Sequence, residues 1–226
     1  MKTLRIFKSG YLFTSCIIGM IMTVCFSSPI YAEQEASANP WASATDEIVF
    51  AGNQKTDWRL YLGSMNNWMV PIQGPETTSY KSSSVIVRTI DYQEKADAYQ
   101  AEWSGGLAQV YWQKQDAMDL SVLESKGAAL SMVIRVDKKP KKSVELKMDC
   151  GYPCAGTLNM TRLFKAVPEG QWFRASFKLS CFKDAGANLS NILAPLVVAT
   201  KDDFKMSFSD VRILTDPPPE SLVACG

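Results

Sequence analysis

The chain has 226 residues, 24 basic and 23 acidic side chains, and no histidine. The missing imidazole excludes a serine–histidine triad, a histidine-paired cysteine nucleophile and an H-E-x-x-H zinc site. An apolar fraction of 46% is that of a folded globular chain rather than a disordered one, and the length suits a single domain.

Lys2, Arg5 and Lys8 precede an uncharged, mostly apolar run from Tyr11 to Phe26, which Pro29 ends. Ile30-Tyr31-Ala32 then offers a small residue for cleavage, and Glu33 begins a polar stretch. The pattern predicts a secretory signal peptide over 1–32 rather than a membrane anchor. The expected location is therefore secreted or periplasmic, with no stable membrane anchor. Removal of the leader leaves 194 residues with 21 basic and 23 acidic side chains. Such a balance lacks the basic face that displaces counterions, so no nucleic-acid partner is expected.

Residues 33–45 are small, polar and rich in Ala and Ser, and read as a linker. Strands are predicted near 46–50, 58–62, 84–91, 98–104 and 108–113, followed by a short helix around Leu120–Glu124. Leu130, Met132, Ile134 and Val136 form an apolar row, as do Val144, Leu146 and Met148. Between them, Lys138-Lys139-Pro140-Lys141-Lys142 reads as a solvated hairpin turn rather than a polyanion site. A second short helix is predicted over Thr161–Val167. Phe173, Ala175, Phe177, Leu179 and Cys181 make a further row, and strands follow over 195–200 and 204–214. In the last strand, Phe204, Met206 and Phe208 lose phase with Val211 and Ile213, which predicts a bulge near Asp210. The Pro217-Pro218-Pro219 run cannot continue a sheet, so 216–226 is read as a surface tail. About ten short strands with little helix predict an all-β fold, a jelly-roll β-sandwich over 46–215.

Four cysteines follow the leader: Cys150, Cys154, Cys181 and Cys225. In an exported chain an even count reads as disulfides, and four cysteines allow three pairings. The C-x-x-x-C spacing permits a tight bridge between Cys150 and Cys154, in which case Cys181 would hold Cys225.

Without histidine, catalysis would fall to carboxylates. Asp46-Glu47 and Asp202-Asp203 are adjacent, so on a strand each pair points to opposite faces. Glu102 reads as a solvated strand residue, and no catalytic residue is assigned. Asp91, Glu94 and Asp97 offer oxygen ligands for calcium, but no EF-hand spacing supports a site, and no cofactor or metal is expected. Aromatics are more suggestive. A sugar presents flat C–H faces edged by hydroxyls, so it is held by exposed rings with amides or carboxylates beside them. Tyr99, Trp103, Tyr111, Trp112 and Gln113 are the candidate carbohydrate-binding residues, across two neighbouring strands. The competing reading is a core row, since Tyr99, Ala101 and Trp103 share one strand face.

Several segments occur together in order: Ala101-Glu102-Trp103-Ser104-Gly105, Val144 to Gly151, Gly170-Gln171-Trp172, Leu179-Ser180-Cys181-Phe182, Ala185 to Leu189, and Phe204 to Arg212. The stretch from about 40 to 214 resembles the ExoP-type galactose-binding-like domain found at the C-terminus of some bacterial family 3 glycoside hydrolases. The resemblance implies a β-sandwich similar to carbohydrate-binding modules, a bacterial envelope or extracellular setting, and no catalysis. The expected function is a secreted, non-catalytic carbohydrate-binding-like module whose partner is a poly- or oligosaccharide, β-glucan or another. The alternative is an envelope protein-interaction or structural module that has lost sugar binding.

Overall fold

In a computed structural model of the chain, residues 43–225 are described apart from 44, 53, 55 and 80–83. The expected leader and most of the expected linker lie outside the described residues. The first strands are β1 (Glu47–Phe50), β2 (Arg59–Ser64), β3 (Asn67–Pro71) and β4 (Glu76–Thr78). Next come β5 (Val85–Ile90), β6 (Ala98–Ser104), β7 (Ala108–Gln113) and the short helix α1 (Ser121–Ser125). Then follow β8 (Ala129–Lys138), β9 (Val144–Asp149), β10 (Ala155–Asn159) and α2 (Thr161–Ala166). The chain closes with β11 (Trp172–Lys178), α3 (Leu179–Asp184), β12 (Ala194–Thr200) and β13 (Asp203–Leu214).

The strands form the two antiparallel sheets of a jelly-roll β-sandwich. The first runs β11-β8-β13-β6-β5-β4 with β1 beside β13; the second runs β10-β9-β12-β7-β2-β3. Long β13 pairs with β8 along its length, with β6 through Phe208 and with β1 from Val211. Its register slips between Phe208 and Val211, the bulge that the broken apolar phase predicts.

One apolar core lies between the sheets. Trp112 of β7 meets Phe208 of β13 edge-on at 5.5 Å and leans on Phe50 of β1 at 5.8 Å. Trp103 of β6 stacks on Phe204 at 5.5 Å, Phe204 stacks on Phe164 of α2 at 5.4 Å, and the indole N–H of Trp103 donates to the Ala108 carbonyl. Trp103 is 0% exposed and Trp112 2%. Both are expected from sequence among the sugar-contacting rings. Each instead fills the core, and a ring with no free face offers nothing to stack on.

Other departures have local causes. The strand expected to reach Cys181 stops at Lys178, and α3 follows, with Leu179 and Phe182 buried at helical spacing. β3 shows no apolar alternation because it is an edge strand with four of its five residues exposed. β10 is interrupted in sequence by Gly156, where a Cβ would stand 2.1 Å from the Phe182 carbonyl oxygen. The basic run Lys138–Lys142 is no hairpin, because β8 and β9 belong to different sheets and the turn carries the chain between them. Asp202 holds that turn, accepting the backbone N–H groups of Lys141 and Lys142 and, at 2.8 Å, that of Asp203.

Disulfides join Cys150 to Cys154 and Cys181 to Cys225. The second fastens the tail to α3. The tail lies along the edge of β11, where Leu222 bridges Ser176 and the Val223 N–H donates to the Ser176 carbonyl at 2.9 Å. Beneath it the hydroxyls of Ser221, Ser176 and Ser131 form a chain, and Arg174 and Arg212 both pair with buried Asp210.

The closed loop of the second bridge spans 44 positions, which corresponds to about 4 kcal/mol of unfolded-state entropy. Cys225→Ser is expected to lower stability by about 2–4 kcal/mol in denaturant titration, and reduction of the wild type to bring it down towards the variant. Removal from water pushes Asp202 up, but the backbone donors of Lys142, Asp203 and Lys141 and the Lys142 charge hold it below the usual carboxylate range. Its contribution is therefore complete above its unfolded-chain pKa of about 3.9 and is lost as pH falls through the lower folded value. Asp202→Asn should cost about 1–2 kcal/mol at neutral pH and nothing once the wild-type carboxylate is protonated, as read from unfolding curves across that range.

Candidate functional site

Successive residues of a strand face opposite ways, so β7 buries Val110 and Trp112 and turns Gln109, Tyr111 and Gln113 to the outer face of the second sheet. The same alternation on β2 puts Leu60 and Leu62 inside and Arg59 and Tyr61 outside. Register aligns Tyr61, Tyr111, Val197 and Lys147 in one row across β2, β7, β12 and β9. The rings of Tyr61 and Tyr111 stack at 5.5 Å. Tyr111 is only 5% exposed, covered by Tyr61, Ala194 and Val197.

The Tyr111 hydroxyl donates to the Trp68 carbonyl at 2.8 Å and so draws β3 over β2. Burial pushes this phenol up to about 12, helped by Tyr61 and by the charge of Asp149, so it stays a donor at neutral pH. The close approach requires Gly63: a Cβ there would lie 2.6 Å from the Trp68 carbonyl oxygen and 3.1 Å from its ring. Trp68 is left 42% exposed and Met69 54% exposed on the sheet edge.

Where β2 begins and β7 ends, a groove of about 570 Å³ opens on this face. Tyr61 and Met69 give it apolar surface. Around them stand Thr56, Asp57, Arg59, Gln113, Lys114, Gln115 and Asp116. Lys114 is held at one side, its ammonium 4.6 Å from the centre of the Trp58 ring and 3.8 Å from Glu47, which also accepts the Trp58 indole N–H. Arg59 is exposed and makes no ion pair among the described residues. Guanidinium, amide, hydroxyl and carboxylate groups thus converge on one ring, with donors and acceptors in near balance. A groove so lined can both donate to and accept from whatever occupies it.

Of the residues expected to contact sugar, Gln113 lines the groove and Tyr111 supports its floor from beneath Tyr61. Trp112 is their neighbour in sequence but faces the core. Tyr99 and Trp103 belong to the other sheet, where Tyr99 packs on Phe50 at 5.1 Å. Sequence reasoning passes over Arg59, Tyr61 and Met69. The signal for Tyr61 is present, since a tyrosine between Leu60 and Leu62 on a strand must face outwards.

Glu102 sits on the far sheet between Arg88 at 2.8 Å and Lys205 at 3.1 Å. Partial burial pushes it up, but hydrogen bonds and charge from Lys205 and Arg88 hold it below the usual range, opposite to what a general acid needs. In the 91–97 loop, the Asp97 carboxylate accepts the N–H groups of Tyr92, Gln93 and Glu94 at 2.6–2.9 Å, and Asp91 accepts that of Ala96. These oxygens are turned to donors rather than to a cation. Among the described residues no group of three or more carboxylate, thiol or imidazole side chains is placed to hold a metal ion, and no helix is long and apolar enough to cross a membrane.

A family model described as galactose-binding domain-like matches residues 56–213. The extra C-terminal domain of the exo-1,3/1,4-β-glucanase ExoP from a Pseudoalteromonas species is similar in structure, with a TM-score of 0.67 at 15% identity, over 80% of this chain and 99% of that domain. Against the ExoP enzyme chain the TM-score is again 0.67, at 14% identity, over 82% of this chain and 22% of the enzyme. The family 30 carbohydrate-binding module of a cellulosomal cellulase of Clostridium thermocellum gives a TM-score of 0.54 at 16% identity, over 76% of this chain and 99% of that module. At these identities the likeness establishes the fold. No curated protein matches the chain.

Gly63→Ala tests the edge geometry. Its methyl would displace the Trp68 carbonyl and break the Tyr111 hydrogen bond, at an expected cost of about 1–3 kcal/mol. Thermal melts and a shift in tryptophan emission report the change; an unaltered melt and spectrum would refute the placement.

Proposed function

The chain belongs to the family of galactose-binding-like domains matched by the ExoP C-terminal model, and from that premise we propose that it is a non-catalytic carbohydrate-binding module. On this reading 1–32 is a cleaved leader, 33–45 a linker, 46–215 the binding sandwich and 216–226 its Pro-rich tail, and the protein works outside the cytoplasm. The ligand lies in the groove on the outer face of the second sheet. Tyr61 meets a C–H face of the sugar, while Gln113, Arg59 and Asp57 or Asp116 read its hydroxyls. A β-glucan or another neutral polysaccharide is the intended partner.

The observation that carries this reading is the groove itself: one half-buried ring within a balanced ring of donors and acceptors, on a sheet whose own core is complete without them. A shallow site of this size corresponds to affinities from about millimolar to tens of micromolar, or roughly −4 to −6 kcal/mol.

The second reading, an envelope protein-interaction module, is favoured by one feature. Met65, Trp68 and Met69 are exposed together on and beside the edge strand β3, an apolar patch of the sort that protein partners cover.

Affinity gel electrophoresis and calorimetry across β-glucans, galactans and cell-wall polysaccharides separate the two. Retardation by a neutral glycan is expected, unchanged by salt because no ion pair forms. Tyr61→Ala and Gln113→Ala should each weaken it about tenfold or more, equivalent to about 1.4 kcal/mol; Gln113→Ala should do so without lowering the melting temperature, while Tyr61→Ala also gives up the stack on Tyr111 and melts slightly lower. Trp112→Phe should leave it intact. No retardation by any glycan would overturn the proposal, and a co-purifying protein held through Trp68 would favour the second reading.

A further inference from the structure

The loop between β9 and β10 carries the most exposed aromatic of the described residues. Tyr152 is 99% exposed, although the loop around it is tightly held. Cys150 and Cys154 are joined by a disulfide and by a Cys150 N–H to Cys154 carbonyl bond at 3.1 Å. The Cys154 N–H donates to the Gly151 carbonyl at 2.8 Å, and the Gly151 N–H donates to the Asp149 carboxylate at 2.6 Å. Asn191 donates its side-chain amide to the Cys150 carbonyl at 3.0 Å. Cys150 itself is buried in the core. A rigid loop that leaves a large ring wholly in water finds no use for it within its own fold. It meets a ligand with little further ordering.

Register places this loop at the same end of the sheet as the groove. Asp149 ends β9 opposite Ala194, which begins β12; Leu196 pairs with Trp112 near the end of β7, and Gln113 pairs with Arg59. β9 stands two strands from β7 and three from β2, so about 10–14 Å separates them at a strand spacing of about 4.8 Å. The backbone between is continuous. The groove wall Lys114–Asp116 runs into Met118, which exchanges hydrogen bonds with Ile192 at 2.8 and 2.9 Å, and the next residue, Leu193, donates to the Asp149 carbonyl at 2.9 Å.

We infer that Tyr152 is a second contact for the ligand of the groove, so that the ligand is a chain lying across the strands and spanning several sugar units. This rests on the groove reading above. The ground between the two rings decides the ligand class. Tyr111, Val197 and Ala194 lie between them but are only 3–5% exposed, and Lys147 and Asp149 bring charge to the same face, so no broad exposed apolar surface joins Tyr61 to Tyr152. A protein interface needs an apolar centre. A glycan chain instead rests one unit on each ring and offers hydroxyls to the charged groups between.

The test is a length series of β-1,3/1,4-linked gluco-oligosaccharides, from the single sugar upwards, titrated against the full chain by calorimetry. Wild-type affinity should rise with length, and Tyr152→Ala should bind the shortest ligands unchanged while losing about tenfold or more on the longest. Tyr152→Trp should retain the gain. Because the side chain touches almost nothing, melting temperatures of both variants should equal that of the wild type. Tyr61→Ala should weaken short and long ligands alike. If affinity stays flat with length, or Tyr152→Ala matches wild type at every length while Tyr61→Ala loses binding, this inference falls and the groove reading stands. If no oligosaccharide binds the wild type, both fall.

Discussion

Trp112 fixes this protein's geometry. It reaches from the second sheet to Phe208 and Phe50 of the first, and once it is buried the facing of β7 is settled, because the side-chain period of a strand is two. Tyr111 must then lie outside, against Tyr61, and Gln113 must open beside Arg59. Burying a tryptophan therefore does more than stabilise. It sets the phase in which the polar residues of β2 and β7 meet solvent. The groove is a by-product of core packing read from the other side of the same strands.

What the groove can do follows from what surrounds it. Its charged groups are shared between two cations and two carboxylates, and its apolar surface is limited to Tyr61 and Met69. That mixture offers hydrogen-bond donors and acceptors around a small apolar surface. The far sheet is built differently. There Arg135, Asp137, Ser207 and Gln100 form one closed hydrogen-bonded set, and Arg88, Glu76, Glu102 and Lys205 another. Polar groups on that face are spent on one another, whereas on the groove face Arg59 makes no ion pair among the described residues.

The sheets were largely legible in the sequence because a half-buried strand writes its facing into alternate residues. The bulge in β13 could be read from the slip between Phe208 and Val211, while the cysteine spacing permitted the Cys150–Cys154 bridge without choosing among the three pairings. Legibility failed where burial leaves no alternation. The edge strand β3 is exposed on both faces, and β10 hides behind Gly156, whose bare backbone admits the α3 carbonyl. The site was harder. Tyr99, Trp103, Tyr111 and Trp112 cluster in the sequence, yet adjacent Tyr111 and Trp112 cannot share a face, and the row holding Tyr99 and Trp103 belongs to the other sheet. Gln113 was found because it lies on β7, beside the aromatic pair. Tyr61 and Arg59 were passed over because β2 joins β7 only through pairing that no sequence window contains.

The bridge between Cys181 and Cys225 has a mechanical side. The stretch it encloses contains β12 and β13, one central strand from each sheet. Tension applied at the C-terminus would otherwise peel β13 away from β8 and β6 one hydrogen bond at a time. With the bridge closed, that load passes from Cys225 straight to Cys181, and both strands stand outside the line of force. Under a pull on Cys225, the two strands kept slack are one central strand of each sheet.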